Sequence, residues 1–376
     1  MDKTLQDFRS RIIELGYSYF FAKALLAAVK LDLFNRLGES ALTAREMARK
    51  TSCDPRAMGL LLNALAGMKV LGKRGIRYHN TPLAREVLLR GKGGCKTRPY
   101  YVGDILNFHN NLWEGWGQLE ESLRKGRPIK QHEMYLEDKA VTRSFIHAMH
   151  NTAMGHAELL ARVVPLKGVK TLLDIGAGSG AFSIYFCKAN PGLRATLLDL
   201  PKTLEVTREF VADYGVEKRV TLLPGDYNKL LPKGFDVVFL SHIIHSEGEK
   251  ENLELMRRVY GCLNPGGRIM VQDFILKEDK ANPPFASAFA LNMLLYTEKG
   301  RSYSFKEIKG WLEEAGFKSI SWPRLPLPRD ISIVMARKPV GDRVSLRGAK
   351  RRSNPLKRLL RSARNDSQDA SGRGIA

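Results

Sequence analysis

The hydrophobic pattern along the chain changes character near residue 166: before it, apolar positions recur at helical spacing, and after it short apolar runs alternate with helical stretches. In the first region Thr43, with Glu46 three residues on, forms a capping-box pair, and Asp54 followed by Pro55 marks a second helix start. The acid can accept from free N–H groups, and proline suits the first helical position because its missing donor would be unpaired there anyway. Leu60, Leu61, Ala64, Leu65 and Met68 continue that second helix, and KRGIRYHNTPLA after Gly72 reads as a short basic hairpin. Helix, helix and hairpin in this order predict a winged helix, an arrangement that either reads DNA or dimerises. Between Tyr100 and Pro165 a helical pattern carries Phe108, Trp113, Trp116, Phe145 and Met149, and predicts a bridge between domains.

From Thr171 the runs TLLDI, ATLLDL, VTLLP, DVVFLSHII, RIMVQDFIL and ISIVMA read as strands separated by helices. Strands alternating with helices predict a mostly parallel sheet covered on both faces. Ser304 and Glu307 form another capping box, opening a helix that should stop at Gly316. The expected fold class is α/β: a winged-helix-like helical domain over 1–99, a helical bridge over 100–165, a Rossmann-like domain over 166–339 and a basic tail over 340–376.

A chain of 376 residues suits two domains. Its four cysteines, Cys53, Cys95, Cys187 and Cys262, are widely spaced without a CxxC pair, so thiols in a reducing compartment are expected, with neither a metal site nor disulfides. The opening MDKTLQDFRS lacks the features of a secretion signal, and Lys23 and Lys30 interrupt the most apolar helix pattern, Tyr17 to Leu31. A cytoplasmic protein with no membrane partner is expected. The formal charge of +22 raises nucleic acid as a partner. Ten basic and three acidic residues follow Pro339, however, placing a net +7 in a polar tail expected to be disordered and without a selected role.

TLLDIGAGSGAF runs a buried strand into Gly176, Gly178 and Gly180 and then a helix. Glycines let the backbone turn sharply and approach a ligand without interference from Cβ. Gly176, Gly178 and Ala181 also satisfy the dinucleotide pattern, which leaves a nicotinamide enzyme open at this point. Asp199, ending the next strand, is placed to accept from both hydroxyls of a ribose in either case. Gly225-Asp226-Tyr227 after the third strand offers a carboxylate to an adenine amine and an aromatic wall to its ring, which dinucleotide folds do not require.

This ordered set resembles the class I S-adenosylmethionine methyltransferases, and residues 12–338 are similar to the small-molecule O-methyltransferases that include caffeate, acetylserotonin and anthracycline enzymes. The resemblance implies S-adenosylmethionine as cofactor, held by Asp174, Gly176, Gly178, Gly180, Asp199 and Leu200, with Asp226 and Tyr227 at adenine and Ser241 near the methionine end. It also recasts the winged helix as a dimerisation domain, implying a homodimer rather than a DNA-binding regulator, although Lys73, Arg74 and Arg77 keep the regulator reading in view.

Methyl transfer from a sulfonium needs the nucleophile aligned and often deprotonated. On the resemblance His245, in LSHIIHSEGEKENL, is the base, with His242 a nearby competitor. Ser246 and Glu247 depart from the family's His-Asp-Trp continuation. Asp273 matches the first of two acids that brace the histidine in plant enzymes, and the second position falls on Ser302, which is not acidic. Phe289, Asn292, Met293 and Tyr296 share a helical face and, with Trp116 and Met149, are expected to line a pocket for a flat, aromatic small-molecule acceptor. Oxygen and carbon remain alternative methylation targets.

Overall fold

A computed structural model of the chain describes residues 3–91, 100–129, 138–229, 231–325 and 331–341. The tail expectation and Cys95 lie outside the described residues. The chain divides into two compact units, one of residues 1–114 with 147–152 and one of 115–146 with 153–376. The predicted 100–165 bridge is thereby shared between them.

The first unit begins with α1 (Lys3–Lys30), α2 (Leu33–Leu37), β1 (Leu42–Thr43), α3 (Ala44–Thr51) and α4 (Pro55–Gly67). The hairpin β2 (Leu71–Arg74) and β3 (Arg77–Asn80) and the helix α5 (Pro82–Leu88) follow. Both helix starts form as expected. Thr43 Oγ1 accepts from Glu46 N at 3.2 Å while Glu46 Oε2 accepts from Thr43 N at 2.7 Å, and Asp54 Oδ1 accepts from Ala57 N at 2.8 Å. β1 joins the hairpin as a third strand, in the order β1-β3-β2. Leu33, Phe34, Met47, Met58, Leu62 and Leu65 are central to this unit's core. Two of the three basic side chains of the hairpin are engaged internally: Lys73 Nζ donates to Asn63 Oδ1 at 2.7 Å, and Arg77 donates to Ala41 O at 2.9 Å and pairs with Glu46 at 3.2 Å.

α1 differs from the sequence expectation. The helix starts well before Tyr17; it is 28 residues long and its most apolar 18-residue stretch has a mean hydropathy of 1.5, so by length and composition it could cross a membrane. Leu5, Phe8, Ile12, Leu15, Tyr17, Phe20 and Phe21 are each more than half exposed or nearly so in the single chain.

Next come α6 (Gly103–Trp116), α7 (Leu119–Lys125) and α8 (Lys139–Val163). The second unit is built on β4 (Thr171–Ile175), α9 (Ala181–Ala189), β5 (Arg194–Asp199), α10 (Pro201–Asp213), β6 (Val220–Pro224) and β7 (Phe235–Ser241). It continues with α11 (Glu249–Cys262), β8 (Leu263–Phe274), α12 (Pro284–Tyr296), α13 (Phe305–Glu314), β9 (Lys318–Ser321) and β10 (Ile331–Arg337). The seven strands lie in the order β6-β5-β4-β7-β8-β10-β9; the first five are parallel, and β10 runs antiparallel to both β8 and β9. The chain moves outward from β4 to β6 and then crosses to β7 on the other side of β4. That reversal opens a crevice at the carboxyl ends of β4 and β7, where open α/β sheets bind ligands.

Two details depart from the sequence pattern. β9, Lys-Ser-Ile-Ser, is an edge strand with mostly exposed positions and so lacks an apolar signature. The Asn264-Pro265-Gly266-Gly267 segment falls inside β8 rather than before it: Phe235 pairs with Leu263 and Val237 with Arg268, so those four residues bulge out of the ladder.

Candidate active site

The crevice is framed by the glycine loop after β4. Gly176, Gly178 and Gly180 all have left-handed φ, at 64°, 55° and 73°. Gly176 N donates to Leu198 O at 2.8 Å, and Thr207 Oγ1 donates to Gly178 O at 2.6 Å, so α10 pins the loop from beneath. A Cβ on Gly178 would meet nothing within 4 Å, which leaves its face open as a cradle. Asp199, at the end of β5, accepts from Gly178 N at 2.8 Å and from Leu200 N at 2.7 Å. Burial raises its pKa, while hydrogen bonds from Gly178, Leu200 and Thr203 oppose that rise. Asp174 is buried beneath the loop with Ser183 Oγ donating to it at 2.6 Å. Burial, aided by the neighbouring Asp199 charge and opposed by Ser183, pushes it up to about 7.

Asp226 and Tyr227 follow β6, whose last residue, Pro224, pairs with Asp199 in the ladder. The Tyr227 hydroxyl donates to Glu247 Oε1 at 2.6 Å. Burial, followed by this carboxylate, raises the phenol's pKa. Glu247 is held in turn through its carbonyl, which accepts from Tyr303 Oη at 2.5 Å and Asn252 Nδ2 at 3.3 Å. The residue standing where the family has tryptophan therefore ties the expected adenine wall to the turn that carries His245. No local pattern signals this, because Tyr227 and Glu247 are twenty residues apart.

His245 lies on a short 3-10 turn, Ile244–Ser246, just after Ser241 ends β7. Its Nδ1 is 2.8 Å from Asp273 Oδ1 on β8, and Phe274 N donates to the same oxygen at 2.8 Å. Burial opposes ionisation of Asp273, but the His245 and His242 imidazoles beside it hold its carboxyl well below the usual range. The Phe289 ring packs edge-on 4.9 Å from His245 and 4.7 Å from Phe274. The structure thus brings His245, Asp273 and Phe289 together. The donor atoms of His242, His245 and Asp273 lie within 4.8 Å of one another, a spacing that could hold a metal ion, though His245 Nδ1 is committed to the carboxylate.

The other expected pocket residues separate. Trp116 Nε1 donates to Asn292 Oδ1 at 3.2 Å, so these two are joined, whereas Met293 is 6% exposed and part of the core. Met149 belongs to the segment grouped with the first unit. Ser302, at the position of the second bracing acid, is buried and donates to Ala286 O at 2.7 Å, tying down α12 instead of the imidazole.

The donor set fits S-adenosylmethionine: an open glycine cradle, a strand-end carboxylate for a ribose and a carboxylate–tyrosine pair for adenine. Asp174, the other acid expected at the cofactor, is buried at the end of β4 and accepts from Ser183 Oγ.

The chain is similar to known proteins over most of its length. Residues 116–318 match the O-methyltransferase domain and residues 13–90 match the O-methyltransferase dimerisation domain. The tetracenomycin polyketide synthesis 8-O-methyl transferase of Streptomyces glaucescens is 30% identical over 337 residues, covering 87% of this chain and 96% of that protein. The 3-hydroxy-5-methyl-1-naphthoate 3-O-methyltransferase of Streptomyces sahachiroi is 28% identical, covering 84% and 92%. Among solved structures, PigF with SAH superposes with a TM-score of 0.78 at 25% identity, covering 88% of this chain and 99% of that one.

Proposed function

The chain belongs to the O-methyltransferase family, and on that premise we propose that it methylates a hydroxyl of a small aromatic molecule with His245 as general base. S-adenosylmethionine, when bound, supplies an electrophilic methyl group on a sulfonium. The observation that carries the assignment of the base is the buried His245–Asp273 pair at the carboxyl edge of the sheet, beside the glycine loop.

Asp273 accepts from His245 Nδ1–H, which fixes the tautomer and leaves Nε2 free to remove the acceptor's hydroxyl proton. The carboxylate then stabilises the imidazolium that forms. Phe289 packs edge-on against the His245 ring and, with Phe274 tilted 59° to it, offers an apolar wall to the acceptor. With Ser302 engaged elsewhere, a single acid orients the base, and alignment of the hydroxyl carries a correspondingly larger share of the rate. Gly178, Asp199, Asp226 and Tyr227 hold the cofactor in this reading, with Ser241 and Leu200 adjoining it.

A homodimer follows from the dimerisation domain together with the uncovered apolar side chains of α1, part of which lies inside that domain. No nucleic-acid partner is needed, and the free thiols Cys53, Cys187 and Cys262 fit a cytoplasmic location. The test is a screen of aromatic hydroxy compounds for transfer of radiolabelled methyl, alongside calorimetric titration with S-adenosylhomocysteine and NAD. Binding of S-adenosylhomocysteine with label in an aryl methyl ether is expected. Binding of NAD alone, or label attached to carbon, contradicts the reading.

A further inference from the structure

We propose that His242 is a second acceptor-binding imidazole, and that the acceptor carries an oxygen substituent adjacent to the hydroxyl that is methylated. The inference rests on the assignment of His245 as base, and extends it to the class of acceptor.

Asp273 faces two imidazoles with one oxygen: Oδ1 is 2.8 Å from His245 Nδ1 and 3.7 Å from His242 Nδ1. Each ring turns Nδ1 toward the carboxylate, so each Nε2, on the far side of its ring, faces away from it. The ring centroids are 5.9 Å apart. His242 reaches this position through a left-handed backbone, φ 57°, that non-glycine residues seldom adopt, anchored by its N–H to Gln272 O at 2.9 Å. Backbone conformations of that kind persist where the surrounding structure enforces them, and they cluster at ligand sites.

His242 is also the more open of the pair, its side chain 28% exposed against 11% for His245. Its Nδ1 and Asp273 Oδ2 are both buried without a hydrogen-bond partner among the described residues. Phe274 packs 4.8 Å from His242 and 4.7 Å from Phe289, which packs 4.9 Å from His245. These aromatic contacts, tilted by 50°, 59° and 75°, link both imidazoles through Phe274 and Phe289. An aromatic acceptor packed against them can present two neighbouring oxygens, each completing a hydrogen bond of about 2.8 Å. His245 takes the proton from the hydroxyl to be methylated. His242 Nε2 accepts from a second hydroxyl or, as imidazolium, donates to a carbonyl or carboxylate oxygen.

Three probes separate adjacency from acidity and hydroxyl count: 2,3-dihydroxynaphthalene, 2,6-dihydroxynaphthalene and 2-naphthol. Each is measured on the full chain as Kd in the presence of saturating S-adenosylhomocysteine and as kcat/KM for methyl transfer. The 2,3-isomer should bind about tenfold more tightly than the other two, the value of one added hydrogen bond. His242→Asn should remove most of that ratio, and because asparagine tolerates the left-handed conformation it tests the imidazole without breaking the turn. Equal affinities, no binding of any of the three, or a preference that survives His242→Asn overturns the inference. Failure to bind S-adenosylhomocysteine would instead defeat the methyltransferase reading beneath it.

Discussion

Ile243 occupies the space that a side chain on Gly176 would need: a Cβ built there falls inside the van der Waals envelope of Ile243 Cδ1. The end of β4 and the turn after β7 thus close on each other across the point where the sheet reverses direction. Gly176→Ala would add this clash to a left-handed strain of about 1–2 kcal/mol. The variant should lose stability in urea denaturation and show both weaker S-adenosylhomocysteine binding and lower turnover, because the displaced residue is two positions from His245. Wild-type affinity in a folded Gly176→Ala protein would separate the two loops.

Asp199 holds the glycine loop through Gly178 N, and in the proposed reading it also meets the cofactor's ribose. Charge-assisted hydrogen bonds contribute about 1.5–3 kcal/mol each. Asp199→Ala should weaken S-adenosylhomocysteine binding at least about tenfold by calorimetry. Unchanged affinity would mean that the cofactor lies elsewhere.

Asp174 offers a test through pH. Its folded pKa is raised from 3.8 to about 7, so the native state holds a proton that the unfolded chain has released across that window. Its contribution to stability is complete below the lower value and is lost as pH rises through the upper one. Asp174→Asn, which keeps an acceptor for Ser183, should therefore gain on the wild type from pH 4 to pH 7 and then hold a constant advantage. Chemical denaturation across pH measures the difference, and a gap independent of pH would contradict it.

The exposed apolar side chains of α1 predict an oligomer in solution. Phe20→Glu combined with Phe21→Glu should convert a species of twice the chain's mass into a monomer in sedimentation velocity. A wild-type chain that stays monomeric and floats with phospholipid vesicles would assign the helix to a membrane instead.

Much of this fold is written in local chemistry. Thr43–Glu46, Asp54–Pro55 and Ser304–Glu307 announce helix starts because a cap is completed within three residues. The buried strands β4, β5 and β7 announce themselves as unbroken apolar runs. β9 gives no such sign because an edge strand needs no buried face, and α1 hides its length because Arg9, Arg11 and Glu14 interrupt its apolar residues. At the site, His245 and Asp273 are legible through resemblance, but the Tyr227–Glu247 bond and the approach of His242 to Asp273 are not. Each joins residues twenty or more apart, and the left-handed turn at His242 has no glycine or asparagine to betray it.

Turnover against pH, for wild type, His245→Ala and Asp273→Asn with a weakly acidic phenolic acceptor, tests the assignment of the base most directly. A base at 245 gives a loss of about 10²–10⁴-fold for His245→Ala with nearly unchanged affinity for S-adenosylhomocysteine. Asp273→Asn should cost less, since it disturbs the tautomer and orientation of an imidazole that is still present. The deficit of His245→Ala should shrink as pH rises and solvent takes over removal of the proton. Wild-type turnover by His245→Ala at every pH, with an inactive His242→Ala, would place the base on the other histidine.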